Sequence, residues 1–399
     1  PRPAAPRHAA RPGRRRDEAM LIERLSLAGF RSYAALEAAF GGGPQVVVGP
    51  NAAGKTNLLE ALVVLGSGRS HRAASDLELI GWGAEFARIE GQVAGRAGDL
   101  VAASATNGPD TLEVVLARSG AGRKRVKVNG VPRRAGALSV ALPVVLFSPE
   151  DMLLIVGSPG LRRATIDGLV GQLEPEAGAA LTTYARALVQ RNNLLRALRD
   201  NAADPVELRF WTETIAREGG RIVGWRRRAL ADLAAPLAVA HAEIAPNEQP
   251  LTLAYATNAE PLAGEDPETA LRRRLAETAE KELWNGATLV GPHRDDIYFE
   301  LGQRELSGFA SRGQQRSAIL ALKLAQLELL RRHAGRAPLL LLDDVFSELD
   351  PDRAGRLSAL LGDRGQVIVT TADPAPLSGR WPSEAALWQI VDGALERAS

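Results

Sequence analysis

Apolar and polar residues alternate through the first part of the chain, in the pattern typical of half-buried β-strands. The series begins with LIERLSLAGF (21–30), ALEAAF (35–40) and PQVVV (44–48). Further strand-like segments follow between residues 85 and 147: EFARIEGQV, DLVAASA, TLEVVLA, RVKVNGVP and LPVVLFSP. The pair Asn129-Gly130 is expected to form a hairpin turn, because both residues tolerate positive φ.

The spacing of apolar residues becomes typical of α-helices after residue 151. Residues 151–245 are rich in Ala, Leu and Arg, most clearly in TTYARALVQRNNLLRALRD (182–200). A loop is expected over 256–269, followed by a helix to about Leu283 and strand spacing at 296–306. A long helix is predicted over 313–333, then an apolar strand, a helix near 352–361 and the strand QVIVTT (366–371).

This order predicts an α/β head built from both ends of the chain, with a mostly helical insertion. We expect a disordered basic tail at 1–19, a first part of the head at 20–150, a helical arm at 151–285 and a second part of the head at 286–399. The arm has room for two helices of at most ~60 residues each, about 90 Å long. It lacks the sustained heptads of a long coiled coil.

Composition narrows the class of protein. The chain has 399 residues, no cysteine and a formal net charge of +2. Disulfides and cysteine-based metal sites are therefore excluded. No run approaches the roughly 18 uncharged apolar residues of a membrane span, so no transmembrane segment is expected. The expected location of the protein is the cytoplasm. The tail holds six arginines against Asp17 and Glu18, and Met20 opens the first patterned segment.

The strand PQVVV leads into a sequence that fits G-x-x-x-x-G-K-[ST], and an apolar helix follows it. In this context the motif predicts a phosphate-binding loop, whose backbone N–H groups turn toward an anion at a helix N-terminus. Lys55 is expected to reach the β- and γ-phosphates, and the Thr56 hydroxyl to ligate Mg²⁺. The alternative is a strand–helix turn with a solvent-exposed lysine. The candidate nucleotide-binding residues are Gly49, Pro50, Asn51, Ala52, Ala53, Gly54, Lys55, Thr56 and Asn57.

LLLLDDVFSELD (339–350) ends an apolar strand in two carboxylates. Asp343 is the candidate Mg²⁺ ligand, and Asp344 is the candidate group that orients or deprotonates the attacking water. We expect this strand to lie beside the phosphate loop in a parallel sheet. Together the two motifs predict a Mg²⁺-dependent ATPase with Lys55 and Asp344 as its catalytic residues.

The segment before that strand resembles the signature motif of ABC-type ATPases. Ser311, Gly313 and Gln314 stand at the start of the predicted long helix, where a hydroxyl and an N–H group suit a γ-phosphate. Ser347–Asp350 resembles the D-loop of the same ATPases, which crosses the dimer interface. The resemblance implies that two copies bind ATP between them, with Ser311 and Asp350 acting across the interface. If the resemblance to ABC-type ATPases is set aside, Ser311 is interpreted only as the N-cap of the predicted helix.

Eight segments together resemble the RecF family of bacterial recombination proteins, which is related to SMC proteins. They are LAGFRSY, GPNAAGKTNLLEAL, GSGRSHR, LFSPEDMLLIVGSPGLRR, YARALVQRNNLLR, GPHRDD, SRGQQR and LLLLDDVFSELD. The resemblance implies an ABC/SMC-type ATPase head and ATP-dependent homodimers on duplex DNA near single-strand gaps. RecO, RecR and RecA are the implied protein partners.

Some features depart from the wider ABC pattern. Asp344 stands where many ABC ATPases carry Glu, which predicts slow hydrolysis suited to a switch. Thr370 and Thr371 occupy the region of the transporter switch histidine. No glutamine is identified for the Q-loop, and the SPED turn (148–151) is the candidate replacement.

Other interpretations stay open at this stage. The chain could be the energy module of a transporter, an SMC-like structural clasp or an ATP-linked nuclease, although only about 50 residues follow LLLLDDVFSELD. Four short basic clusters could contact DNA phosphates, but each is also explained as a solvated surface. They are Lys124-Arg125-Lys127, Arg162-Arg163, Arg226 to Arg228 and Arg272 to Arg274. Residues 293–296 of GPHRDD are interpreted as a polar network that links the arm to the head, with a second metal site as the alternative.

Overall fold

Strands at both ends of the chain enclose a long helical stretch. The computed structural model describes residues 21–94, 109–119, 123–200, 205–361, 365–374, 385–391 and 393–398. The strands of the described residues are β1 (Leu21–Phe30), β2 (Tyr33–Ala39), β3 (Pro44–Val48), β4 (Phe86–Ala94), β5 (Asp110–Ala117), β6 (Lys124–Val128), β7 (Val131–Pro132), β8 (Val144–Phe147), β9 (Leu251–Ala256), β10 (Asp296–Leu301), β11 (Arg304–Glu305), β12 (Leu339–Asp343), β13 (Val367–Thr371), β14 (Ala386–Val391) and β15 (Ala394–Arg397).

The helices of the same residues are α1 (Lys55–Ser67), α2 (Gly136–Ala141), α3 (Leu153–Val156), α4 (Pro159–Leu173), α5 (Ala177–Arg199), α6 (Pro205–Ile244), α7 (Pro267–Glu277), α8 (Ala279–Asn285), α9 (Arg312–Ala334) and α10 (Pro351–Leu361). Short 3₁₀ helices cover Asp76–Leu79, Pro149–Met152, Leu306–Gly308 and Val345–Glu348.

Three sheets organise these elements. The N-terminal sheet has the order β2-β1-β4-β5-β6-β7 with antiparallel pairing, and Asn129 and Gly130 form the β6–β7 turn as predicted. The central sheet has the order β15-β14-β3-β13-β12-β8 and is parallel from β14 to β8. The small sheet has the order β11-β10-β9.

The central sheet corrects one expectation. The strand of the phosphate loop, β3, does not lie beside β12, because β13 pairs with both and separates them. The strands are parallel, so their carboxyl ends still meet at one edge. The phosphate loop after β3 and the carboxylates at the end of β12 therefore share that edge.

Both faces of the central sheet are buried, as parallel sheets require. Alternate residues of β12 point to opposite sides: Leu339 and Leu341 pack with α1 and the N-terminal sheet, whereas Leu340 and Leu342 pack with α9 and α6. Helices α1 and α9 therefore cover opposite faces. Their N-termini carry the phosphate loop and the signature segment, respectively.

The helical arm is anchored on the head along much of its length. Helix α6 has 40 residues, which is about 60 Å. Its second half, including Leu233 and Leu237, packs into the core beside α9, and its first half, including Ile215, packs with α5 and α7. The strand β9 was missed by the sequence analysis. It pairs with β10, so the small sheet joins residues on both sides of position 285.

An α/β architecture with a largely helical insertion is thus confirmed. The four-part division of the chain stays a prediction, and its tail at 1–19 lies outside the described residues, as does the strand predicted at DLVAASA (99–105). Among the helices that the structure describes, none is long and apolar enough to cross a membrane.

Candidate nucleotide-binding site

The phosphate loop connects β3 to α1. Ala52 has φ 67° and Gly54 has φ 106°, so the chain turns through left-handed conformations before the helix starts at Lys55. A Cβ atom on Gly54 would lie 2.9 Å from the hydroxyl oxygen of Tyr33. Gly54 is therefore needed both for its backbone conformation and for the space beside Tyr33.

Lys55 lies within the curve of this loop. Its side chain is largely buried (8% exposed), and Nζ donates hydrogen bonds to the carbonyl oxygens of Gly49 at 2.7 Å and Pro50 at 2.9 Å. The cation is thus already held where the helix N-terminus carries its partial positive charge. Such an arrangement is suited to bind polyphosphate oxygens.

A turn that the sequence analysis did not assign to the site supports the loop from the N-terminal sheet. Between β1 and β2, the Tyr33 hydroxyl donates to the Gly54 carbonyl at 3.0 Å, and Asn57 Nδ2 donates to Ser32 Oγ at 2.9 Å. Burial raises the pKa of Tyr33, so its hydroxyl stays a donor at neutral pH. LAGFRSY marked this turn, but nothing in the pattern indicated its contact with the phosphate loop.

Glu60 fixes two further segments to α1. Its fully buried carboxylate accepts two hydrogen bonds from Arg31, at 2.9 and 2.8 Å, and one from the Ser70 hydroxyl at 2.5 Å. Burial on its own would raise the pKa of Glu60, but these hydrogen bonds hold it below its ordinary value. The GRSHR loop is thereby held against the helix, with Arg69 and Arg72 exposed.

The two carboxylates at the end of β12 differ in setting. Asp343 is 5% exposed and accepts a hydrogen bond from the Thr370 hydroxyl at 2.5 Å. Asp344 has φ 49°, its N–H donates to the Thr370 carbonyl at 3.0 Å, and its side chain is partly exposed. The Thr371 hydroxyl lies 3.5 Å from Asp344 Oδ1. Positive φ is uncommon for a non-glycine residue, is adopted more readily by Asp and Asn than by most others, and also occurs at active sites.

The SPED turn lies at the neighbouring strand end. It follows β8, which pairs with β12, and Asp151 accepts a hydrogen bond from the backbone N–H of Ser148 at 2.8 Å. Lys323 of α9 forms an ion pair with Asp151 at 2.7 Å. The turn is therefore at the edge that carries Asp343 and Asp344, and its role as the Q-loop replacement stays a prediction.

The signature residues cap α9. Ser311 Oγ accepts from the N–H of Gln314 at 3.3 Å, and Gln314 Oε1 accepts from the N–H of Ser311 at 3.0 Å. Ser311 is exposed. Within the described ranges no hydrogen bond joins 311–314 to 49–57 of the same chain. Among the described residues, the signature is thus not hydrogen-bonded to the phosphate loop of its own chain.

The D-loop is tied to both neighbouring helices. Asp350 caps α10 by accepting from the N–H of Arg353 at 2.9 Å, and this hydrogen bond and the Arg353 side chain lower the pKa of Asp350. Glu348 forms an ion pair with Arg316 of α9 at 3.0 Å. The D-loop and the signature helix therefore form one connected unit.

The donor set suits Mg²⁺ rather than a transition metal. Thr56, at the start of α1, offers a hydroxyl, and Asp343 offers a carboxylate at the same sheet edge. Hard oxygen donors with one or two carboxylates are what Mg²⁺ takes beside phosphates. No group of three or more His, Cys, Asp or Glu residues with metal-binding geometry occurs in the part of the chain that the structure describes.

GPHRDD forms a polar network between head and arm. Asp296 pairs with Arg162 of α4 through two hydrogen bonds of 2.7 Å, and the Asp295 carbonyl accepts from Arg163 at 2.6 Å. His293 Nδ1 lies 2.7 Å from the Tyr184 hydroxyl of α5. These contacts agree with a structural role.

Most of the basic clusters considered for DNA contacts are already paired with acids. Arg162 pairs with Asp296, Lys124 with Asp76, and Lys127 with Glu113; the arginines at 226–228 and 272–274 also have acidic partners. These clusters are therefore weaker candidates for phosphate contacts than unpaired surface cations.

Comparison with known proteins identifies the family. The protein-family model described as "RecF/RecN/SMC N terminal domain" matches residues 21–379 of this chain. The DNA replication and repair protein RecF of Limosilactobacillus fermentum is 36% identical over 383 residues, which cover 95% of this chain and 99% of that protein.

Two solved structures extend the comparison. The recombination mediator protein RecF-ATP of the RecFOR pathway has a TM-score of 0.84 at 28% identity, over 96% of this chain and 98% of that one. The Smc head domain of Pyrococcus furiosus has a TM-score of 0.53 at 17% identity, over 95% and 96%, and shows the fold alone. The prediction of an ABC/SMC-type ATPase head is confirmed, and the chain belongs to the RecF family.

Proposed function

We propose that this chain is an ATP-dependent DNA-binding protein of recombinational repair, in which ATP joins two copies face to face. Membership of the RecF family supports the repair context. The observation that carries the proposal is the placement of the two nucleotide motifs: α1 and α9 cover opposite faces of the central sheet, and Ser311 is exposed. A second copy can therefore supply the signature to the phosphate loop.

In this proposal the phosphate loop and Lys55 bind the triphosphate, because backbone N–H groups and a cation converge there. Thr56 and Asp343 would hold Mg²⁺, which when bound would offset the charge of the phosphate oxygens. Asp344 orients the attacking water and accepts its proton. Ser311, Gly313 and Gln314 of the second copy contact the γ-phosphate, and Asp350 lies at the interface.

Hydrolysis is proposed to be slow and to act as a release switch. Aspartate is one methylene shorter than the glutamate found in many ABC ATPases, so Asp344 reaches less far toward a water. The two copies of such a protein stay paired on DNA until the ATP between them is hydrolysed. Family membership supports extending the proposal to duplex DNA beside single-strand gaps and to helping RecO and RecR load RecA. The proposed place of action is the cytoplasm.

The test is ATP hydrolysis measured with gapped duplex, intact duplex and single-stranded DNA. We expect the gapped duplex to stimulate hydrolysis most. Light scattering with ATP and Mg²⁺ should show pairing that ADP does not support. A chain that stays monomeric with ATP, Mg²⁺ and gapped DNA would contradict the proposal.

A further inference from the structure

Arg353, in the first turn of α10, joins three separate parts of the chain. Its Nη1 lies 2.7 Å from Asp350 Oδ2 in the D-loop. Nε donates to the Ser317 hydroxyl of α9 at 2.9 Å, and Nη2 donates to Glu248 Oε1, just beyond α6, at 2.7 Å. One guanidinium group therefore connects the D-loop, the signature helix and the base of the arm.

Each partner is fixed to a larger element. Ser317 is fully buried, and its hydroxyl donates to the carbonyl of Gly313 at 3.1 Å, inside the signature. The backbone N–H of Glu248 donates to the Ala245 carbonyl at 3.0 Å, directly after α6, and its second carboxylate oxygen lies 3.4 Å from Nε2 of the buried His241 in the last turn of α6. A displacement of the signature or of the end of α6 is therefore expected to reach Arg353.

The chemistry of arginine suits this junction. Its planar guanidinium directs donors along several fixed directions at once, whereas lysine presents a single ammonium group. Two of the three partners are carboxylates, and such charge-assisted hydrogen bonds are the stronger kind. A shift of α6 relative to α9 therefore strains or breaks a contact of Arg353, and Asp350 is held by the same side chain.

We propose that Arg353 is a positioning residue that couples the base of the helical arm to the D-loop, so that displacement of the arm by bound DNA changes ATP turnover at the interface between two copies. This inference rests on the proposed function. It adds a specific route. Bound DNA displaces α6, this displacement moves Glu248, and Glu248 shifts Asp350 through Arg353.

The test measures kcat and KM for ATP with the full chain, with and without saturating gapped duplex. Glu248→Ala should leave KM and the DNA-free kcat within about twofold of wild type, yet lose a stimulation of about fivefold or more, the size typical of coupling between sites. Arg353→Ala should lower kcat with little change in KM, and Arg353→Lys should not restore it. Arg356 donates to the Ile244 carbonyl at 3.0 Å, which keeps α10 beside α6 in these variants.

The matched control is Glu174→Ala. Glu174 pairs with Arg228 of α6 at 3.2 Å but does not reach α10, so this variant should keep the stimulation. The double variant Glu248→Ala, Arg353→Ala should respond to DNA as Arg353→Ala does, because both changes cut the same route.

Two failures can be told apart. A wild-type chain that DNA does not stimulate overturns the proposed function and this inference with it. A stimulated wild type whose Glu248→Ala variant is equally stimulated overturns the route through Arg353 alone. If Glu248→Ala lowers the melting temperature more than Glu174→Ala does, Glu248→Gln replaces it and must still weaken the stimulation.

Discussion

The hydroxyl group of Thr370 donates a hydrogen bond of 2.5 Å to Oδ1 of Asp343, and the carbonyl of the same threonine accepts the N–H of Asp344 at 3.0 Å. One residue of β13 therefore positions both carboxylates at the end of β12. Thr370 lies in the region compared above with the switch histidine of transporters, and its short hydroxyl side chain is buried in the sheet.

Replacing Thr370 tests whether this contact orients the metal ligand. Thr370→Val keeps the shape but leaves a buried carboxylate oxygen without its donor, which costs about 1–3 kcal/mol. We expect kcat for ATP hydrolysis to fall by roughly tenfold or more, whereas Thr370→Ser should stay near wild type. Wild-type kcat in Thr370→Val, with an unchanged melting temperature, would contradict the role.

Asp344→Asn tests the water-orienting group. Asparagine tolerates positive φ about as well as aspartate, so the backbone at φ 49° should be kept. We expect ATP binding to be retained and the ATP-bound pair to persist, because the amide cannot accept the proton of the attacking water. Dissociation measured by light scattering after dilution should be slower than for wild type. Dissociation as fast as wild type would show that Asp344 does not limit release.

His293 makes stability depend on pH. Burial lowers its pKa to about 4, whereas an unfolded histidine has a pKa near 6.5. Between these values the unfolded chain binds a proton that the folded chain does not. The free energy of unfolding should therefore fall as the pH drops from about 6.5 to 4, by up to about 1.4 kcal/mol per pH unit from this group.

Urea unfolding between pH 7 and 4.5 measures that slope. His293→Gln should reduce it, and His333→Gln, at an exposed position, is the control. An identical slope in wild type and His293→Gln would exclude His293 as the cause.

Local motifs could be predicted from the sequence because the contacts that define them are local. The loop from Gly49 to Thr56 connects a strand to the helix that directly follows it. Ser311 caps the helix that begins at the next residue. The apolar run before Asp343 likewise indicated a strand of a parallel sheet, and the structure confirms it, with every residue of β12 buried.

Contacts between distant segments could not be predicted in the same way. Tyr33 and Gly54 are 21 positions apart in the sequence, and Glu248 and Arg353 are 105 apart, so the fold of the whole chain decides whether they meet. The position of β13 between β3 and β12 depends on the order of the strands in the sheet. The sequence of one short apolar strand does not determine that order. The strand β9 has the alternation Leu251, Leu253, Tyr255, but it follows a long helical pattern and was missed.

The central claim is that each nucleotide pocket is completed by the second copy, and mixing two inactive variants tests it most directly. Lys55→Met should remove triphosphate binding by one copy, and Ser311→Arg should block the signature while leaving the phosphate loop intact. Each variant alone should show no ATP-driven pairing and no hydrolysis. In a mixed pair, the intact loop of one variant meets the intact signature of the other. Up to about half of the wild-type hydrolysis should therefore return, since only mixed pairs form and each has one complete pocket of the two. A mixture as inactive as its components would contradict the account.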